Sequence, residues 1–158
     1  MTAAGPVNGG GAPIYLLPLP SGDVLVLSPT LNIQARLYTP LGSPLAAWMP
    51  TITTVPTSLT RGQIYALTGT QLNGLSEAAN YGDELSAATN YPLVRLTNTA
   101  SGHVVYARTH DHSMMGVATG ATPVTTHFDV PAAADSGATT LVVIANGIAS
   151  APVTVTVF

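Results

Sequence analysis

Apolar and polar residues alternate with a period of two through much of the chain. At the C-terminus Val153, Val155 and Val157 alternate with Thr154 and Thr156. This period places the valines on one face of a β-strand, and Gly, Pro, Asn and Ser separate the short β-branched runs. No segment has the 3.6-residue apolar period of an amphipathic helix. The pattern therefore predicts an all-β protein.

The regular part of the pattern begins at residue 51 and predicts seven strands. They are Thr51–Val55, Gln63–Thr68, Leu93–Asn98, His103–Thr109, Val124–Val130, Thr139–Ala145 and Pro152–Phe158. Turn signals lie at Asn98–Gly102 and at Asn146-Gly147. Seven short strands are typical of an antiparallel immunoglobulin-like β-sandwich. We therefore expect one sandwich domain over residues 51–158, without a helix longer than about two turns.

One long loop, Gly69–Tyr91, interrupts this pattern and is rich in Asn, Gly and Ala. Short helical turns are predicted within it at Ser76–Asn80 or Glu84–Thr89. Loops of this length in compact domains are usually functional or disordered.

Residues 1–50 form a separate segment with a Gly-rich leader and three predicted strands. These strands are Ile14–Leu19, Val24–Leu27 and Ile33–Thr39, with a hairpin turn at Pro20–Asp23. Three strands need a partner to bury an apolar face. We expect this extra three-stranded segment to be covered by the sandwich or by an adjacent copy of the chain, in a homo-oligomer or a filament.

Charge is scarce, at 7% of residues against about 25% in a typical globular domain. The chain has four arginines, no lysine and a net charge of −3. Nucleic acid and anionic membrane surfaces require a basic footprint, so no nucleic-acid partner is expected and an anionic membrane surface is a poor match. No apolar run approaches the ~18 residues of a membrane helix, so no membrane insertion is expected. A neutral, Thr-rich surface repels its copies weakly and favours close packing.

The chain contains no cysteine, which excludes disulfides, thiolate nucleophiles and Cys-ligated metals. The first residues lack the charged start and apolar core of a signal peptide. The Thr-, Gly- and Pro-rich all-β composition indicates an extracellular or cell-surface location.

Several motifs together resemble one bacterial module. They are Gly69–Ser76, Tyr81–Asp83, Asn90–Arg95, Thr109–Ser113, Phe128–Pro131 and Leu141–Ser150. These runs are similar to the early-set immunoglobulin-like domain that ends galactose-oxidase-like and kelch-type β-propeller proteins. The resemblance covers residues 50–158. It implies that segment 12–50 corresponds to the last propeller strands, and that the rest of such a propeller is missing here.

His110 and His112 are the candidates for metal chemistry, with Zn²⁺ or Cu²⁺ as the ion. They lie two residues apart, so on a regular strand both point to one face. In galactose-oxidase-like enzymes this domain contributes a copper-ligating His from a Thr-His-Ser-type motif. Thr109-His110 matches its first half and His112-Ser113 its second. The copper–radical cofactor also requires a Cys cross-linked to a Tyr, so that chemistry is excluded. The alternative is that these histidines order the loop through hydrogen bonds.

No residue pattern predicts catalysis. Ser113 and Asp111 flank His112, but a nucleophile needs a base that a third group orients. Glu77, Asp83 and Glu84 match no calcium-binding spacing. Three functions remain: a non-catalytic structural module that self-assembles through residues 1–50, an accessory domain of a galactose-oxidase-like enzyme that contributes a metal ligand, and a carbohydrate-binding module.

Overall fold

Two β-sheets make up the described part of the protein. The structure, a computed structural model, describes residues 15–28, 34–77 and 90–158. In this part of the chain the secondary structure is β apart from one 3₁₀ turn, Ala46–Trp48, which precedes the second sheet. The prediction of an all-β protein is confirmed.

The first sheet is an antiparallel meander of three strands. These are β1 (Tyr15–Pro18), β2 (Val24–Ser28) and β3 (Gln34–Tyr38), in the order β1-β2-β3. The turn between β1 and β2 closes where the N–H of Leu19 donates to the carbonyl of Asp23 at 2.7 Å. Gly22 in this turn has a φ of 88°, which glycine adopts without strain. The predicted three-stranded segment is therefore present.

The second sheet has nine strands and contains all seven predicted ones. They are β4 (Thr51–Thr54), β5 (Ser58–Leu59), β6 (Ile64–Thr70), β7 (Leu93–Asn98), β8 (Val104–His110), β9 (Pro123–Asp129), β10 (Gly137–Ala145), β11 (Ile148–Ala149) and β12 (Val153–Val157). Their order is β4-β6-β9-β8-β7-β10-β12-β5, and β11 pairs with β10. The two-residue strands β5 and β11 are too short for an alternating pattern to reveal.

Strand β8 joins the two halves of this sheet. One half consists of β4, β6 and β9, and the other of β7, β10, β12 and β5. Its residues Val104–Ala107 pair with β7, whereas Arg108–His110 pair with β9. One strand thus changes partner halfway along its length, and the sheet curls around it. Buried residues from both halves then form a single core, with Leu67 of β6 and Val124 and Phe128 of β9 on one side. Leu96 of β7 and Leu141 of β10 belong to the same cluster.

The expectation of a wholly antiparallel sheet is wrong at one edge. β5 runs parallel to β12, with Thr156 opposite Ser58 and Val157 opposite Leu59, so the sheet is mixed. The chain leaves β4 at one edge of the sheet, passes through Pro56 and joins β12 at the other edge. Proline has no N–H for a strand ladder, which favours a break in pairing at this point.

The two turns predicted at Asn146-Gly147 and Asn98–Gly102 are both present. Asn146 and Gly147 have φ angles of 49° and 77° and connect β10 to β11, as in a two-residue hairpin that needs two positive φ angles. Asn98 caps the turn between β7 and β8 by accepting from the N–H groups of Ala100 and Ser101. Both predicted turns are confirmed.

The predicted helical turns at Ser76–Asn80 and Glu84–Thr89 lie outside the described residues, apart from Ser76 and Glu77. The leader before Tyr15 also lies outside them. In the residues that the structure describes, no helix has the length and apolar character needed to cross a membrane.

The approach of β4 to β6 yields a stability prediction at Gly69. A Cβ atom at this position would lie 1.9 Å from the carbonyl oxygen of Thr51 and 2.9 Å from Leu72. Gly69→Ala should therefore lower the free energy of unfolding by about 1–3 kcal/mol, because backbone and packed side chains must move. Gly116→Ala is the control, since nothing lies within 4 Å of its added methyl group. Urea unfolding of both variants measures the difference, and equal stabilities would contradict this account of the β4–β6 contact.

Candidate functional site

The chemically richest cluster lies where β8 ends beside β9. The register places His110 directly opposite His127. Asp129 is two residues beyond His127 on β9, so strand alternation points it to the same face. His127 and Asp129 belong to the partly exposed face of β9, while Val124, Thr126 and Phe128 face the core. The change of partner in β8 therefore creates this group of side chains.

Two carboxylates hold the imidazole of His110. Its Nδ1 donates to Oδ2 of Asp111 at 2.8 Å and its Nε2 donates to Oδ1 of Asp129 at 2.9 Å. Carboxylates only accept, so satisfying both bonds requires the doubly protonated ring. The bond to Asp111, followed by the bond to Asp129, raises the pKa of His110 above its ordinary value of 6.5. The same bond to His110 lowers the pKa of Asp111 below 3.8.

Further groups surround this ion pair. The ring of His127 stacks on that of His110, with 6.0 Å between centroids and 23° between planes. Nδ1 of His127 is buried and has no hydrogen-bond partner in the protein. A guanidinium nitrogen of Arg108 lies 4.0 Å from Oδ2 of Asp129. Positive and negative groups thus alternate in one compact cluster, in the order Asp111, His110, Asp129 and Arg108.

His112 occupies a different environment from His110. Its Nδ1 lies 2.9 Å from Oγ1 of Thr126, a residue with no exposed surface, and the ring of Tyr91 meets its own edge-on at 5.7 Å. Burial, and then the charge of His110, lowers the pKa of His112 below 6.5. His112 is therefore neutral at pH 7, and its Nδ1 is engaged.

The expectation that His110 and His112 share one face of a strand is wrong. Strand β8 ends at His110, and Asp111 has a φ of 48°. A residue in the left-handed region breaks strand alternation. His110 consequently contacts the outward residues of β9, while His112 contacts the inward Thr126.

These residues fit a shared metal ion poorly. Both ring nitrogens of His110 are bonded to carboxylates, and His112 points to the other side of β9. Within residues 15–28, 34–77 and 90–158, no three His, Cys, Asp or Glu side chains are arranged to hold a metal. The observed bonds agree with the alternative that these histidines order the loop. The prediction that His110 and His112 bind Zn²⁺ or Cu²⁺ is untested, and these bonds argue against it.

Buried asparagines next to the cluster fix the loop after β8. Nδ2 of Asn73 donates to the carbonyls of Met114 and Gly116, at 2.7 and 3.1 Å, and Nδ2 of Asn90 donates to that of Met115. Sequence reasoning missed both asparagines. The available signal was their position in a Gly-rich loop, where amide side chains commonly replace missing backbone bonds.

A second polar group lies at the turn between β7 and β8. Oγ of Ser101 donates to Oδ2 of Asp135 at 2.6 Å, and Nδ1 of His103 lies 3.3 Å from Oδ1 of the same carboxylate. The carboxylate is between the hydroxyl and the imidazole, so the ring has no contact through which it could activate the serine. The arrangement is a capped turn, and the hydrogen bond to Ser101 is the main cause that lowers the pKa of Asp135.

No protein-family model matches this sequence, and no curated protein does. The geometry therefore carries the functional argument.

The His110 cluster predicts a measurable titration. We expect the pKa of His110, followed by NMR, to lie above 6.5, and Asp129→Asn should move it down by removing one carboxylate acceptor. The protonated ring stabilises the fold below pH 6.5, and this contribution is lost as the pH rises through the folded-state pKa. The ionised Asp111 stabilises the fold above pH 3.8, and its contribution is lost as the pH falls through its lowered pKa.

Asp135→Asn is the matched control, because it removes a carboxylate that contacts His103 instead. It should leave the titration of His110 unchanged. A pKa of His110 at or below 6.5 in the unmodified protein would show that the two carboxylate bonds do not form in solution.

Metal binding has a direct test in thermal unfolding. Since His110 lacks a free ring nitrogen, we expect excess Zn²⁺ or Cu²⁺ to leave the Tm of the protein unchanged. A ligand that binds only the native state would raise Tm. A rise that disappears in the double variant His110→Ala, His112→Ala would reverse this expectation and establish the metal site.

Proposed function

We propose that the chain is a non-catalytic, extracellular structural module that associates with copies of itself through residues 1–50. The observation that carries the proposal is the exposure of the three-stranded sheet. Leu16 of β1 and Leu37 of β3 are 50% and 53% exposed, and Leu17 and Tyr38 beside them are exposed too. The nine-stranded sheet leaves this surface open.

Apolar side chains are exposed on both faces of the small sheet. Neighbouring residues of a strand point to opposite faces, and the exposed residues come in neighbouring pairs on β1 and on β3. Burial of apolar surface is worth about 25 cal/mol per Å², so several hundred Å² left in water forgo several kcal/mol. Large exposed apolar areas on a folded domain often mark a protein–protein contact.

Charge does not oppose such a contact. Between residues 15 and 48 the only charged side chains are those of Asp23 and Arg36. A nearly neutral partner suits this surface, and a second copy of the same chain supplies one.

We further infer that residues 51–158 form an early-set immunoglobulin-like sandwich. Two features support this: one core is filled from both halves of the curled sheet, and the first strand divides into β4 and β5 on opposite edges. The resemblance to the terminal domain of galactose-oxidase-like and kelch-type proteins agrees with this fold. It also supports an extracellular location, together with the low charge and the Thr-rich strands.

The described polar clusters support a structural role. His110 is held between two carboxylates and His103 contacts a capped turn, so neither histidine is positioned as a base next to a hydroxyl nucleophile. Ser113 accepts from the N–H of Thr125, which joins the loop to β9. Each group stabilises a turn or a loop.

Carbohydrate binding is the second candidate function. Tyr38 and Trp48 are both about half exposed, and aromatic rings on a surface can stack on sugars. A glycan array distinguishes the two candidates, because Tyr38→Ala and Trp48→Ala would abolish a carbohydrate signal. The accessory-domain alternative depends on the metal test above.

Self-association is tested by sedimentation of the full chain over a range of concentrations. We expect an oligomer, and we expect the double variant Leu16→Thr, Leu37→Thr to dissociate it. Losing the burial of one leucine costs roughly 1.5–3 kcal/mol, which weakens association by about tenfold or more. The control is Ile64→Thr, Val104→Thr, two exposed strand positions on the nine-stranded sheet. A full-length chain that sediments as a monomer at every concentration would contradict the proposal.

A further inference from the structure

An apolar groove separates the two sheets. The turn after β1 approaches the turn between β10 and β11, where a Cβ on Gly147 would lie 3.0 Å from the Cα of Gly22. Beside this contact the groove encloses about 230 Å³. Its lining includes Leu17, Pro18 and Leu19 from one sheet and Tyr91, Leu93 and Ile144 from the other. Among the described residues no charged side chain lines it, so it suits a neutral, apolar occupant.

An apolar projection lies at the same end of the small sheet. We call Pro40–Pro44 the Leu41 loop; its sequence is Pro-Leu-Gly-Ser-Pro. Leu41 is 100% exposed, so it contacts nothing in its own chain that would hide it from water. A cavity of about 150 Å³ holds a benzene molecule. The groove therefore has room for a leucine side chain.

The strand register shows that groove and loop are neighbours. Val24 pairs with Pro18 of β1 and with Tyr38 of β3, so the chain leaves β1 and β3 at one end of the sheet. The groove begins at Pro18 and the Leu41 loop follows Tyr38. Across this end Ser21, and then Thr39, lowers the pKa of Asp23. The full exposure of Leu41 shows that its own groove does not hold it.

We propose that Leu41 of one copy inserts into the groove of a second copy, and that the second copy inserts its own Leu41 in return. This inference rests on the proposed self-association and specifies its contact. A protruding apolar residue and a pocket on the same molecule produce contacts between copies. Because loop and groove share one end of the sheet, a two-fold exchange satisfies both at once and closes the assembly as a dimer.

The absence of cysteine from the chain permits a direct test by cross-linking. Leu41→Cys and Leu17→Cys proteins are mixed and oxidised. A disulfide needs Cα atoms about 4.4–6.8 Å apart, so the mixed 41–17 product should form in large excess. Phe158→Cys is the control for an exposed apolar position elsewhere, and its mixture with Leu41→Cys should give only a background yield. Equal yields from the two mixtures would overturn the proposal.

The double variant Leu41→Cys, Leu17→Cys tests the symmetry of the contact. A reciprocal exchange predicts that oxidation gives a dimer joined by two disulfides. A ladder of higher oligomers would overturn the two-fold arrangement.

Sedimentation of Leu41→Asp separates this inference from the proposed function. The substitution places a charge in an apolar groove but changes a fully exposed residue, so the fold is retained and the dimer should dissociate. Leu41→Ala should weaken the dimer by roughly tenfold or more. If the unmodified chain is a monomer, self-association itself fails. If the unmodified chain is an oligomer that Leu41→Asp leaves intact, association stands and the Leu41 contact is wrong.

Discussion

The rest of the nine-stranded sheet depends on the divided pairing of β8. Its first four residues hydrogen-bond with β7 and its last three with β9, so one strand belongs to both halves of the sheet. Without this change of partner, the inward faces of β6 and β9 could not turn toward those of β7 and β10. Phe128 and Leu141 then would not share a core. The few residues that β8 pairs with each half are sufficient to connect the two halves, because the curl brings together apolar residues that hold the remaining strands.

The same constraint places the charged residues. Once the second half of β8 is bound to β9, His110 must lie opposite His127 and within reach of Asp129. The strand then ends, and the left-handed backbone at Asp111 turns His112 toward Thr126. Two histidines with nearly the same sequence context consequently have pKa values displaced in opposite directions, one raised by carboxylates and one lowered by burial. The backbone at one residue determines this difference.

Sequence patterns predicted what depends on local chemistry. Apolar runs, some of them alternating, revealed every described strand of four or more residues, and Asn146-Gly147 revealed its turn, because side-chain pattern and turn preference are local properties. The two-residue strands and the parallel pairing of β5 were not predictable, since they depend on where Pro56 lets the chain cross between edges. The shared face predicted for His110 and His112 was wrong because Asp111 has a positive φ. The residue pattern around Asp111 did not reveal this backbone conformation. Asn73 and Asn90 donate to carbonyls that are far away in the sequence, and such contacts produce no periodic pattern of residues.

The two sheets differ in the apolar surface that their edge strands expose. The edges of the large sheet end in β4 and β5, strands of four and two residues that one proline-containing segment connects. Short edge strands present few unpaired groups for another chain. The small sheet also has short edge strands, β1 and β3 of four and five residues, but it exposes leucines on both of them. A chain with so few charges has little electrostatic means of keeping copies apart, so under the proposed self-association the location of its apolar surface would decide where they meet. Under the same proposal they would meet at the end of the small sheet that carries both the groove and Leu41.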